Sequence, residues 1–253
     1  MKIARFLHKG KELFGIVEGD HIQAAKGEML GEFHRTKQGY PLDEIKILPP
    51  VMPSKIVAIG LNYKDHAAEV KFELPEEPLI FLKPGSAVIG HLDPIIYPPM
   101  SRRVDFEGEL GIVIGKTAHN VSEARADEFI LGYTCFNDVT ARDLQGKDGQ
   151  WTRSKGFDTF APLGPWIETV IDTTCLKLET FLNGERKQSS DTSYLIFPPR
   201  RLVSFISQIM TLYPGDCIAT GTPSGIGPMS VGDTVEVRIE GIGKLVNLVS
   251  LSP

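Results

Sequence analysis

Cysteine is scarce in this 253-residue chain: Cys135, Cys175 and Cys217 are odd in number, far apart and never in a CxxC pair. That spacing excludes a disulfide framework and a zinc knuckle, and it fits a reducing compartment. Runs of one charge are missing as well. Lys and Arg number 27 against 32 Asp and Glu, a formal net charge of −5 with both signs scattered, so neither a nucleic-acid surface nor a polybasic membrane anchor is expected. No apolar run reaches the length that spans a bilayer, and the opening MKIARFLHKGKELFG has no apolar segment of signal-peptide type. The expectation is an untargeted, cytoplasmic protein whose partners are small molecules.

What the sequence has instead is punctuation. Its 25 Gly and 18 Pro are spread between short apolar runs, the pattern of many strands and turns. KIARF, LFGIV and HIQAA, separated by HKGKE and EGD, predict a β-meander, and the proline-dense ILPPVMPSKI closes it. A small N-terminal β domain over 1–50 and a larger domain over 51–253 follow. IVAIG at 56–60 reads as a buried strand, leading into one or two helical turns in LNYKDHAAEVKF before Pro75 and Pro78. Further on, a helix is expected to start near Ser122, then a strand from Ile130 to Asn137, then a hairpin at Asn183-Gly184. PPRRLVSFISQIM predicts a helix with Pro199 in its first turn and Leu202, Phe205, Ile206 and Ile209 on one face. Strands and helices do not alternate regularly, so the fold class is mixed, β-rich α+β rather than a Rossmann fold or TIM barrel.

One stretch carries chemistry. VDFEGELGIVIG, residues 104–115, reads as a strand on which Asp105, Glu107 and Glu109 share one face. A solvated edge strand would explain two neighbouring acids, but LGIVIG is too apolar for one. Away from water, such carboxylates repel until a proton or a cation joins them. A third acid, Asp138, stands at the end of the apolar strand ILGYTCFN. Three oxygen donors without His or Cys suit a hard cation, Mg²⁺, Mn²⁺ or Ca²⁺, rather than structural zinc. Asp105 sits one pleat farther out and is expected to be structural. Because relieving that repulsion can itself stabilise the fold, metal-free Glu107→Gln and Asp138→Asn are expected to melt no lower than the metal-free wild type.

GLNYKDHAAE, FLKP, DFEGELGIVIG, FNDVTARDLQ, WTRSKGFDTFAPLGPW and TGTPSGIGP occur in that order, and together they closely resemble the fumarylacetoacetate hydrolase family over roughly residues 50 to 250. The short N-terminal segment resembles its compact members: acylpyruvate hydrolases, oxaloacetate decarboxylases or tautomerases, and isomerase/decarboxylases of homoprotocatechuate breakdown. The resemblance implies a β-sandwich or β-roll catalytic domain behind a small N-terminal β domain, and a homodimer. It implies Mg²⁺ or Mn²⁺ on Glu107, Glu109 and Asp138, and catalysis by His66, Glu69 and Lys155. It also implies substrate contacts from Arg142, Gln145, Lys155 and Thr222, with Lys83 of FLKP as a further candidate cation. His66 and Glu69 are i and i+3, neighbours on a helical turn, so the carboxylate can polarise the imidazole; Pro75, Pro78 and the charged run between suggest that they ride on a lid. The implied activity is hydrolytic cleavage of a C–C bond in an acylpyruvate through a metal-stabilised enolate. Decarboxylation of oxaloacetate and keto–enol tautomerisation or isomerisation are neighbouring outcomes of one site, and a keto-acid-binding module without turnover is the alternative of another class.

Overall fold

The computed structural model of the chain describes residues 1–65 and 74–252. The N-terminal meander forms as its punctuation predicts: strands Lys2–His8, Lys11–Glu18, His21–Gly27 and Phe33–Pro41 pair antiparallel in sequence order. Ala4, Phe6, Ile22, Ala24 and Tyr40 give it a small core of its own. Its sheet, however, does not end there. Lys2–His8 pairs antiparallel with Ala161–Glu168, so the meander is one flank of a sheet of twelve strands among the described residues. From Ala161–Glu168 the order runs through Ile130–Asn137, Gly108–Ile114, Cys217–Ala219 and Lys55–Gly60 to Leu79–Pro84 at the far edge.

Gly108–Ile114 lies inside this sheet and all of it is buried. Leu110, Ile112 and Ile114 face a core shared with Leu178, Val237 and Leu245 of a five-stranded sheet and with Leu202, Val203 and Ile206 of the helix Pro199–Ile209. Val113 faces a second core with Ile56, Phe136 and Leu163. Burial on both faces accounts for the near-continuous apolar run. The five-stranded sheet contains the hairpin Lys177–Leu182/Glu185–Asp191, which turns at Asn183 and Gly184 with φ of 52° and 81°, the left-handed pair that a two-residue loop of this hand requires.

Three expectations need correction. The stretch 104–115 is not one strand: it divides at Glu107 into Val104–Phe106, which pairs with Thr140–Ala141 and Gly227–Met229 in a three-stranded sheet, and Gly108–Ile114 in the large one. The segment after Ser122 is a 3-10 helix, Glu123–Phe129, with only Ala126 buried. Finally, helix Pro199–Ile209 starts at its proline, but its buried stripe is Leu202, Val203 and Ile206, while Ile209 is 54% exposed. Polar docking rotates it. Ser204 Oγ donates to the Val121 carbonyl at 2.8 Å and Ser207 Oγ accepts from the Val121 N–H at 2.9 Å, which turns two serines inward. No helix of the described residues is long and apolar enough to cross a membrane.

Candidate active site

Strand register brings the acids together. Gly108 is paired with Asn137 and Glu109 with Phe136; one step beyond, the Asp138 N–H donates to the Glu107 carbonyl at 2.8 Å. The Asn137 side chain completes the junction by accepting from the Glu107 N–H at 2.9 Å. Glu107, Glu109 and Asp138 are all buried and each presents a carboxylate oxygen within 4.8 Å of the others. Their all-oxygen, anionic set fits a hard divalent cation.

The three carboxylates are not equivalent. Lys155 Nζ reaches Glu107 Oε2 at 2.8 Å and Asp138 Oδ2 at 2.5 Å; Lys83 Nζ reaches Asp138 Oδ1 at 2.6 Å; and Arg142 Nη2 donates to Glu107 Oε1. Among the described residues Glu109 has no ion pair, and its Oε2 accepts the Gly221 N–H at 2.8 Å. Burial works to raise the Glu107 carboxyl, but Lys155 and Arg142 overcome it and hold the group down at about 2. Glu109 is driven well above the carboxylate range by burial, then by the charges of Asp138 and Glu107. The lysines also diverge. Burial lowers Lys83, whereas Asp138 and Glu107 outweigh burial at Lys155 and raise it.

Asp105 is fully buried outside the triad, where it accepts from Arg103 Nε at 2.9 Å and Arg142 Nε at 3.0 Å. Gln145 lies one turn from Arg142 on the helix Arg142–Asp148 and accepts from Arg142 Nη1 at 2.6 Å. Thr222 lines the same cavity, but its single proton goes to the Gly108 carbonyl at 2.9 Å while its oxygen accepts from Gln188 Nε2 at 2.8 Å. The structure thus gathers Glu107, Glu109, Asp138, Lys83, Arg142, Gln145, Lys155 and Thr222 at one place. His66 and Glu69 lie outside the described residues.

A cavity of about 420 Å³ opens over the triad, with Ile59, Phe81, Trp151 and Ile226 as apolar walls and Arg103, Arg142 and Lys155 as its other charges. A larger hollow of about 740 Å³ lies beside Tyr133 and Thr169–Thr174, but its Asp127 and Arg200 pair with each other at 2.5 Å. Convergent acids, not volume, mark the functional cavity.

Comparison with known proteins agrees with this geometry. Residues 55–250 match the family model described as fumarylacetoacetate (FAA) hydrolase C-terminal. The chain belongs to the fumarylacetoacetate hydrolase family. Residues 1–50 match a second model, Rv2993c-like, N-terminal. Within the family, the crystal structure of 2-hydroxyhepta-2,4-diene-1,7-dioate isomerase from Mycobacterium marinum is 43% identical, covers 100% of this chain and 99% of its own, and superposes with a TM-score of 0.93. The mitochondrial oxaloacetate tautomerase FAHD2B of Bos taurus is 44% identical over 222 residues, 83% of this chain and 71% of that protein. Maleylpyruvate hydrolase from Sphingobium sp. SYK-6, solved with manganese(II) and pyruvate, is 30% identical with full coverage of both chains and a TM-score of 0.83.

Several residues of this family site escape a reading of the sequence. Gln188, fully buried on the hairpin strand, accepts from the Gly108 N–H at 2.9 Å and donates to Thr222 Oγ1 and to the Pro223 carbonyl at 2.9 Å. It therefore pins the peptide between the two glutamates to the TGTP loop. Asn62 does the same from the other side, donating to the Thr220 carbonyl at 2.7 Å and exchanging bonds with Phe197. Gly221 allows that approach: its φ is +100°, and a Cβ there would stand 2.8 Å from Asn62 Cβ. The motif GLNY contained the signal for Asn62. For Gln188 the only sign was a lone amide on an otherwise charged hairpin strand.

Proposed function

We propose that the protein is a divalent-metal-dependent hydrolase, using Mg²⁺ or Mn²⁺, that cleaves a C–C bond in acylpyruvate-type 2,4-dioxo acids through an enolate. The charge balance of the buried site carries this reading. Counted by formal charge among the described residues, the four acids Glu107, Glu109, Asp138 and Asp105 stand against the four cations Lys83, Lys155, Arg142 and Arg103. A divalent cation therefore leaves two positive charges, which a dianionic oxo acid or its enolate neutralises. When bound, the cation supplies Lewis acidity towards the C1 carboxylate and C2 oxygen of the substrate. Lys155 has one N–H left after Glu107 and Asp138 and adds positive charge beside the developing enolate. His66, polarised by Glu69, takes a proton from water, which attacks C4; the C3–C4 bond breaks, its electrons pass to the C2 oxygen, and protonation at C3 gives pyruvate and a carboxylic acid.

A second reading, keto–enol tautomerisation of oxaloacetate, is favoured by one observation: the bovine tautomerase is 44% identical, against 30% for the maleylpyruvate hydrolase. One assay separates the two. Acetylpyruvate, fumarylpyruvate and the enol of oxaloacetate are incubated with the protein and Mg²⁺ or Mn²⁺. Stoichiometric pyruvate from the two acylpyruvates supports hydrolysis, pyruvate and CO₂ from oxaloacetate support decarboxylation, enol loss without pyruvate supports tautomerisation, and tight binding without any of these refutes them in favour of a non-catalytic module.

A further inference from the structure

Two arginines reach the cavity, and they are engaged differently. Arg142 has all three nitrogens on protein acceptors, Asp105, Gln145 and Glu107, and its side chain is 23% exposed. Arg103 places Nε and Nη2 on the two oxygens of Asp105 at 2.9 and 3.1 Å, has no partner for Nη1 among the described residues, and is 51% exposed. Of its five N–H groups three are left over, including one on each Nη at the end of the fork. That end pair is the one that receives a carboxylate through two parallel bonds.

We propose that Arg103 binds the far carboxylate of a dicarboxylate substrate whose 2-oxo acid end lies at the triad; this rests on the function proposed above. Asp105 makes Arg103 a receptor rather than a solvated rim charge. Being fully buried, it cannot turn outward, so it fixes the guanidinium plane before any ligand arrives and lowers the ordering cost of binding. It also bridges Arg103 to Arg142, so the outer end of the Arg103 fork is left without an acid among the described residues. The cavity that holds the triad and Arg103 also has Phe81, Trp151 and Ile226 in its lining. A carbon chain with an anionic group at each end matches a cavity that combines apolar walls, a cation-binding cluster of acids and a guanidinium with N–H groups to spare. With a divalent cation present, a mono-anion leaves one positive charge and a dianion leaves none.

The test compares ligands that differ at the far end. For the wild type, Arg103→Gln and Arg103→Lys, kcat/KM is measured on fumarylpyruvate and on acetylpyruvate, which lacks the second carboxylate. In parallel, calorimetry on the Mn²⁺-loaded protein gives dissociation constants for 2-oxoadipate and pyruvate, independent of turnover. In Arg103→Gln the preference for the dicarboxylate should fall about 10- to 100-fold in both measurements, the usual weight of a charge-assisted hydrogen bond. Arg103→Lys keeps the charge and can still pair with Asp105, so it should recover part of the preference. Equal loss on both ligands, which is what a merely structural arginine would give, overturns the assignment, as does an unchanged ratio. If wild type binds pyruvate and 2-oxoadipate alike, the assignment falls while the oxo-acid site stands. If it binds neither, the proposed function fails first and this proposal with it.

Discussion

Glu109→Gln and Glu107→Gln delete the same charge from neighbouring positions, yet in chelator they should move stability in opposite directions. Glu107 is paired with Lys155 and Arg142, both largely buried. Its replacement leaves two buried cations short of a partner, a loss of about 3–5 kcal/mol for a broken buried pair, which corrects the expectation from repulsion alone that Glu107→Gln melts no lower than wild type. Among the described residues Glu109 has no ion pair, and its Oε2 accepts the Gly221 N–H, which the carbonyl of a glutamine can still accept. A glutamine there cannot ionise against Asp138 and Glu107, so this variant should melt at or above wild type. At about 2–4 °C per kcal/mol for a chain of this size, the two variants should melt roughly 6 to 20 °C apart at pH 7.5. Their pH dependence differs in sign as well. Glu107, held down at about 2, contributes stability above the ordinary carboxylate pKa that is lost as pH falls. Glu109, held high by burial and its two neighbours, favours the folded state while protonated, below the ordinary carboxylate pKa, and that contribution is lost as pH rises through its raised value. Glu109→Gln should flatten the decline towards alkaline pH, and Mn²⁺ should stabilise the wild type but neither variant. Thermal melts from pH 4 to 9 in chelator, with and without excess Mn²⁺, decide it. If both variants melt within 2 °C of each other, or Glu109→Gln melts lower, the unequal pairing of the triad is refuted.

Lys155→Met keeps the apolar stem but frees oxygens of Glu107 and Asp138 from an ammonium, so Mn²⁺ should bind at least as tightly in calorimetry while the dianionic oxo acid binds far more weakly; an unchanged KM and kcat would place Lys155 outside the cavity's work. Gln188→Met removes the three bonds that fix Gly108 to Thr222 and Pro223, and Mn²⁺ affinity should fall about 10- to 100-fold; wild-type affinity would mean that the triad holds its shape without this clamp. His66→Ala should still bind Mn²⁺ and oxalate but lose about 10²- to 10⁴-fold in hydrolytic rate. Glu69→Gln should lose less, and the double variant should resemble His66→Ala; additive losses in log rate would show that the two residues do not act as a unit.

Local patterns were legible wherever local forces decide. The Asn183-Gly184 turn, the strand Ile130–Asn137 and the start of a helix at Pro199 follow from turn chemistry, β-branched and aromatic content, and a fixed proline φ. The face of that helix was misjudged because Ser204 and Ser207 point inward to satisfy Val121, a long-range bargain that hydrophobic spacing does not record. The proline-rich stretch after the meander predicted an end of a domain. Composition changes there, and the two family matches also divide between 50 and 55, but backbone hydrogen bonding crosses the divide from Lys2 and Ile3 to Glu168 and Ile167. Edge pairing of that kind uses groups every residue carries, so no residue type announces it.

The site shows the same limit at finer grain. Alternating acids were enough to point to two members of the buried carboxylate cluster, because carboxylates at two-residue spacing in an apolar run are rare and costly. They were not enough to reveal how the acids are held, and the glycine between them is the instructive case. A Cβ at Gly108 would lie 2.1 Å from Thr180 Oγ1 and 3.2 Å from Gln188 Oε1, so any side chain would push the hairpin strands off the peptide. Bare, that peptide gives its N–H to Gln188 and its carbonyl to Thr222. The spacing of Glu107 and Glu109 is thereby set by a sheet eighty residues away in the chain as well as by the strand they belong to. A reading of EGE by periodicity sees two acids and a spacer; the packing makes the spacer the point at which two sheets fix the distance between the carboxylates.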